Sequence, residues 1–251
     1  MKTTTSILPA FLLVTFVLAL AACAGADKPG LTRDDSATLL VNRGVEGDAA
    51  DGIRALLLAS AQRATADLSR PNGYQRYDDT RLPLPAAADA TVSMLRAYGY
   101  GQLAEPVQMD INRGAEIGAG KALPVLADAI AQLEITDVGA VVNGGDSAAT
   151  QLLCGRGADS EERAKLLRSY ATALTAGLAE AGYYSSLKIL VDKYNSIPIL
   201  SDISGLDLEA EIRERGLNGI CLRMASEEAR MRNDPAQRPG EAINRLFIAP
   251  H

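Results

Sequence analysis

The chain has 251 residues, with 25 Lys and Arg against 31 Asp and Glu, a formal net charge of −6, one histidine and three cysteines. A surface of that sign disfavours nucleic acid and offers no general attraction to anionic headgroups. The only histidine is the terminal His251, which nearly excludes a Ser-His-Asp or Cys-His site and a histidine-ligated zinc or haem.

The N-terminus is a short polar stretch with Lys2 as its only charge, followed by an apolar run from Phe11 to Ala22 broken only by Thr15. The run is too short for a comfortable transmembrane helix and has the length of a signal-peptide core. It ends in Leu20-Ala21-Ala22-Cys23, which reads as a lipobox: small residues pass a signal peptidase and the Cys23 thiol takes a diacylglycerol. The competing reading is an ordinary signal peptide with an incidental cysteine. Ala24 follows, where an Asp would commonly signal retention in the inner membrane. The sequence therefore predicts a palmitate-bearing lipoprotein on the periplasmic side of the envelope, at the outer membrane, held to the membrane through Cys23. Residues 1–22 are the expected signal peptide, 23–46 the lipidated cysteine and tether, and 47–249 one helical domain. Loss of Lys2 with the signal makes the mature chain one unit more negative. Phe247 is then its only phenylalanine and there is no tryptophan, so the core is expected from Leu, Ile, Val and much Ala. That composition favours helix over sheet.

In the tether, a short helix fits around Ser36–Asn42. From Asp48, a candidate N-cap, apolar residues recur at Ile53, Leu56, Leu57, Ala61, Ala64 and Leu68, which is helical spacing. Residues 71–85 are irregular, because Asn72-Gly73 and Leu82-Pro83-Leu84-Pro85 exclude a continuous helix. A helix over 86–98 is closed by Gly99 and Gly101. The next is expected from about Gln102 to Gly118, with a separate one carrying Leu123–Leu133 and Pro124 in its first turn. Thr136 is read as the cap of a short helix to Val142, and Asp146 opens another after Gly144-Gly145. Asp159 with Glu162 makes a capping-box pattern for a helix through Leu166, Tyr170, Leu174 and Leu178 to Gly182. Residues 183–195 continue as helix, the last long helix spans 207–232, and a short one closes the chain around 240–247. No segment alternates over strand length, so the fold class is all-α: a single multi-helix domain of amphipathic helices, with under about a tenth of its residues in strand.

Several local patterns then fall in one order. They are Leu82-Pro83-Leu84-Pro85, Asn112-Arg113, Asn143-Gly144-Gly145-Asp146-Ser147-Ala148-Ala149-Thr150, and Lys193-Tyr194-Asn195 with Pro198. Leu206-Asp207-Leu208-Glu209, Gly219, Glu227-Glu228, Arg232, Pro235 and Arg238 follow. The set resembles the bacterial envelope family known as domain of unknown function 4197, from about Gly52 to Phe247, and the Asn-Gly-Gly-Asp segment is its most specific part. The resemblance implies a helical protein, secreted or lipid-anchored, and carries no activity. This chain departs from the family pattern at Cys154 and Cys221, which replace large apolar or aromatic residues, and at Asp234, which replaces Asn.

Gly144-Gly145-Asp146 has the look of a phosphate cradle at a helix start. A carboxylate at Asp146 would itself take the free amides, as an N-cap worth about 1 kcal/mol, with Gly144 or Gly145 at positive φ ending the preceding helix. Arg113, Lys193 and Glu228 are read either as parts of solvated charged faces or as one partly buried polar network that fixes helix register. Glu228 and Arg232 have the favourable i, i+4 spacing. Export into an oxidising compartment, with Cys23 lipidated, leaves Cys154 and Cys221 as an even pair, expected as a disulfide; the alternative is two buried thiols. No catalytic residue, cofactor or metal ligand set is assigned. The expected function is a non-enzymatic envelope lipoprotein binding a protein partner or an apolar ligand, without nucleic acid. The rival is a hydrolase or other enzyme using carboxylate and Lys or Tyr chemistry, which Arg113, Lys193 and Glu228 gathered around a void would favour.

Overall fold

The computed structural model describes residues 33–155 and 160–248, with side chains from residue 48 onward. The chain divides into two compact units, Met1–Val41 and Asn42–His251. The expected signal segment 1–22, Cys23, Asp159 and His251 lie outside the described residues.

Among the described residues there are nine α-helices, joined by turns and short 3-10 segments, and no strand. They are α1 (Arg33–Leu68), α2 (Asp89–Ala97), α3 (Ala104–Gln132), α4 (Val138–Val142), α5 (Ala148–Cys154), α6 (Glu161–Ala181), α7 (Tyr183–Asn195), α8 (Glu209–Asn233) and α9 (Glu241–Leu246). No described helix is long and apolar enough to cross a membrane. The all-α expectation holds, and the apolar stripes read from spacing are the buried ones. Ile53, Leu56, Leu57, Ala61, Ala64 and Leu68 of α1 enter one core with Leu174 and Leu178 of α6 and Ile212, Ile220 and Met224 of α8.

Three helix boundaries differ from the sequence reading, each for a local reason. Asp48 caps nothing, because α1 is already helical from Arg33, and residues 33–46 of the expected tether are its first turns. α4 is capped by Asp137, not Thr136: the Asp137 carboxylate accepts from Ala140 N at 2.7 Å. α6 is capped by Ser160, whose hydroxyl accepts from Arg163 N at 3.1 Å, while the expected cap Asp159 lies outside the described residues. α6 does end at Gly182, whose φ of 89° is a left-handed value that glycine adopts without strain.

The largest difference is α3. The two helices expected around Gly118 and Gly120 are one, and it runs through Pro124. Gly114 and Gly118 do not terminate the helix; they let it approach α6. A Cβ built on Gly177 of α6 would stand 2.2 Å from the Gly114 carbonyl oxygen and 2.7 Å from Gly118 N. Real side chains cannot make such contacts, so the two backbones meet through glycine on both sides. Burial of this crossing holds α3 continuous against the local cost of proline.

The core is also less purely aliphatic than composition suggests. Tyr74, Tyr170 and Tyr183 are the largest fully buried side chains. Tyr74 donates to the Gly216 carbonyl at 2.8 Å, and its ring fills the space a Cβ at Gly219 would take. The Tyr170 hydroxyl packs near Gly118 and Gly216 without an aligned partner. Cys154 at the end of α5 and Cys221 in α8 are joined by a disulfide, with Cα atoms 6.2 Å apart. Closing a loop of 67 residues stabilises by about 4 kcal/mol in the chain-entropy model.

Candidate functional site

The polar residues that carry the sequence patterns are mostly used to hold backbone segments in place. Asn112 of α3 accepts from Leu82 N at 3.0 Å and donates to Leu82 O at 2.7 Å. Its amide thus pairs with the extended Leu82-Pro83-Leu84-Pro85 segment as a neighbouring strand would. Asn195 at the end of α7 repeats the device, accepting from Ile203 N and donating to Ile203 O, both at 2.9 Å.

Around the Asn143-Gly144-Gly145-Asp146 turn the arrangement differs from the expected cap. The N-cap position of α5 is Ser147, which makes no side-chain cap bond, and Asp146 is exposed, accepting only from Asn233 Nδ2 at 3.3 Å. The amides at the start of α5 are taken from across the fold by Glu228 of α8. One carboxylate oxygen accepts from Ala149 N at 2.9 Å and from Arg232 Nε at 2.8 Å. The other accepts from Thr150 N and Thr150 Oγ1, both at 2.7 Å. Arg232 in turn donates to the Val141 and Val142 carbonyls at 2.9 and 3.0 Å, which are the last residues of α4. A single buried ion pair therefore closes both sides of the turn: Arg232 holds the end of α4 and Glu228 the start of α5. A fully buried carboxylate with donors on both oxygens and a guanidinium beside it has its charge matched. A buried acid from α8 meets the helix dipole of α5, and Asp146 is left in solvent.

Neither Gly144 nor Gly145 is at positive φ. Gly144 is needed for space instead, since a Cβ there would lie 2.6 Å from the Ala140 carbonyl and 2.7 Å from the Ala148 methyl. With Glu228 on the α5 amides and Asp146 beside the turn, no phosphate cradle is formed.

Arg113, Lys193 and Glu228 do not come together. Arg113 pairs with the buried Glu116 at 3.0 Å one turn along α3. The Lys193 ammonium stands 4.0 Å from the centre of the Tyr100 ring. Glu228 is committed to Arg232 and α5. The three charges thus have separate partners. Two features escaped the sequence reading. Arg163 donates to Glu214 and to the Cys154 carbonyl, tying α6 to α8 and to the disulfide. Phe247 is covered by the guanidinium groups of Arg232 and Arg238 at 5.3 and 4.8 Å.

The buried phenols offer no reactive group. Desolvation pushes Tyr74 well above its ordinary value, with Tyr170 and Glu116 adding to the effect, and it raises Tyr170 and Tyr183 strongly. All three stay protonated near neutral pH. Among the described residues no group of three His, Cys, Asp or Glu side chains could hold a metal ion.

Beside the clamped turn lies a groove of about 250 Å³, with Ala140 and Val141 of α4 on one side and Ala148, Gln151 and Leu152 of α5 on the other. A second cleft of about 460 Å³ lies between the later parts of α1 and α8 and is dominated by arginine.

Neither a curated protein nor a solved structure matches the chain. The model of one family, described as a protein of unknown function (DUF4197), matches residues 45–248, which takes in the described part of the helical domain almost whole. The chain belongs to that family.

Proposed function

We propose that this protein is a non-enzymatic lipoprotein of the bacterial envelope, anchored through lipid on Cys23 at the periplasmic face of the outer membrane, and that it works by binding. The observation that carries the reading is the use of its polar motif residues. Glu228, Arg232, Asn112 and Asn195 are spent on backbone groups, and each is engaged on its own chain. The four described lysines face carboxylates or an aromatic ring: Lys121 Glu180, Lys165 Glu161 and Glu162, Lys188 Asp192, and Lys193 Tyr100. Lys193 meets the face of its tyrosine ring and the other three meet carboxylates, so each described lysine is engaged as a cation.

The apolar groove between α4 and α5 supports the binding reading. At about 250 Å³ it is smaller than the roughly 300–1,000 Å³ of enclosed small-molecule sites. It suits one or two apolar side chains of a partner protein, or a short apolar ligand. Two of its walls are the helices that Glu228 and Arg232 fix, with Gly155, Ser160 and Glu162 on a third side, and having those two walls set beforehand lowers the ordering cost of binding.

The test uses the lipidated protein in its native envelope, with a photo-crosslinking residue replacing Gln151 at the groove rim. Crosslinks to one protein, or to lipid, that vanish when Ala140→Trp fills the groove support the reading. Crosslinks unchanged by Ala140→Trp overturn it. Separately, intact mass and detergent partitioning of the mature protein should show a diacylated Cys23, and a Cys23→Ala form that still matures at residue 23 and stays with membranes refutes the anchor.

A further inference from the structure

The arginine-rich cleft between α1 and α8 has no part in that reading. Its floor and walls hold Arg63 of α1, Arg70 just beyond the end of that helix, and Arg223 and Arg230 of α8, against Asp67 and Glu227. Arg223 and Arg230 are spaced by seven residues, two helical turns, so both lie on one face of α8. Four positive charges against two negative ones make a lining of +2 in a chain of net −6.

Two of the arginines are held from behind. The Arg223 guanidinium lies 4.2 Å from the centre of the Tyr77 ring and donates to Asp79 at 3.0 Å, while its buried Nε has no acceptor. Arg63 donates to the Gln237 carbonyl at 2.7 Å and sits 3.5 Å from Glu227. Tyr77 is fixed in turn by donating to Asp67 at 2.9 Å. The other two stand at the rim with most of their side chains in solvent, Arg230 paired with Glu227 at 2.8 Å and Arg70 reaching Asp67 only at 3.8 Å. Each guanidinium carries five N–H donors. Two carboxylates in the lining, Asp79 behind it and one carbonyl leave most of them unmatched. A cation fixed by stacking at the base, with solvent-exposed cations at the mouth, is an arrangement that takes an oxyanion bidentately.

We propose that the cleft between α1 and α8 binds a phosphate group, carried by a small ligand or by a lipid headgroup. A phosphate monoester carries about −1.5 to −2 at neutral pH, which matches the lining. The net charge of −6 over the whole chain disfavours a long polyanion. This site is separate from the α4–α5 groove, so either can fail without the other.

The experiment uses the mature chain with Cys23→Ser, so that no lipid anchor masks the result. Inorganic pyrophosphate is titrated by calorimetry at low ionic strength, and flotation with phosphatidylglycerol vesicles is compared with flotation on phosphatidylcholine vesicles. Saturable binding is expected in one arm, weakened about tenfold by Arg70→Gln and again by Arg230→Gln, from the loss of a charge-assisted contact. It should weaken with added salt, while melting temperature stays unchanged in both variants. Arg245→Gln, which breaks an exposed pair with Glu241 on α9, should leave it intact. Pyrophosphate binding identifies a soluble ligand; flotation on phosphatidylglycerol that pyrophosphate does not compete identifies a headgroup. No saturable binding in either arm, or binding that Arg245→Gln weakens as much as Arg70→Gln, overturns the proposal. So does a dimer that Arg70→Gln dissociates, which would assign the cleft to a second copy.

Discussion

Substituting Glu228 tests whether the buried pair serves its partners or only itself. Glu228 is fully buried, and Arg232 is 8% exposed in its side chain. Glu228→Ala removes the acceptors of two amides and one hydroxyl and leaves a buried guanidinium without its counter-ion, which should cost about 3–5 kcal/mol. In a domain of this size that lowers the melting temperature by about 6–20 °C. Glu228→Gln keeps the shape but turns one oxygen into a donor. Facing Ala149 and Arg232 it meets two donors, and facing Thr150 it strands the amide, so a loss of about 2–4 kcal/mol follows in either orientation. The decisive variant is the double apolar replacement Glu228→Leu with Arg232→Met. Where two buried ions serve only each other, such a swap is often neutral or stabilising. Here it leaves Ala149 N, Thr150 N and the Val141 and Val142 carbonyls without partners, so it should stay at least about 3 kcal/mol below the wild type. Denaturant unfolding of the unlipidated mature chain measures all four forms. A double variant within about 1 kcal/mol of wild type would refute the two-sided clamp.

The α3–α6 crossing makes a paired prediction: Gly177→Ala should cost about 2–3 kcal/mol, because the methyl meets backbone on α3, while Gly145→Ala, with nothing within 4 Å, should be neutral or slightly stabilising. Equal unfolding midpoints for the two would show that the helices do not meet through glycine. The buried phenols set the alkaline limit. Their folded-state values lie above that of an unfolded tyrosine, so stability is held up to about pH 10 and is lost as the pH rises toward the folded-state values. Tyrosinate absorbance should accordingly show Tyr74, Tyr170 and Tyr183 ionising only together with the loss of helical circular dichroism; full ionisation in a still-folded protein would contradict their burial.

What the sequence made legible follows from the range of the interactions involved. The stripe Leu208, Ile212, Gly216, Ile220, Met224 has helical spacing, and all five are buried, Leu208 at the N-cap of α8 and the other four within it. Helix class and core faces of this kind depend on neighbours three or four residues away. Gly118 looked like a helix end because glycine is locally a poor helix former, and the packing role it shares with Gly114 exists only once Gly177 stands opposite. The cap of α5 was sought in Asp146, the nearest acid, yet it comes from Glu228, 78 residues beyond Thr150. No local pattern marks a cap from that distance. The cleft between α1 and α8 left a weak trace in the sequence, two arginine pairs at seven-residue spacing, whose meaning appears only when the two segments oppose each other.

The short helix α5 is bound to α8 at both ends, by Glu228 at Ala149 and Thr150 and by Cys221 at Cys154. The two attachment points on each helix are fixed distances apart, and a helix turns about 100° for every residue added. One residue inserted between Thr150 and Cys154 would leave Thr150 at its carboxylate and swing Cys154 about a quarter turn or more away from Cys221. A deletion would do the same in the other direction, and an insertion between Cys221 and Glu228 would misplace the partner by the same angle. The segment can therefore change its composition but not its length, and its reading frame in space is set by α8.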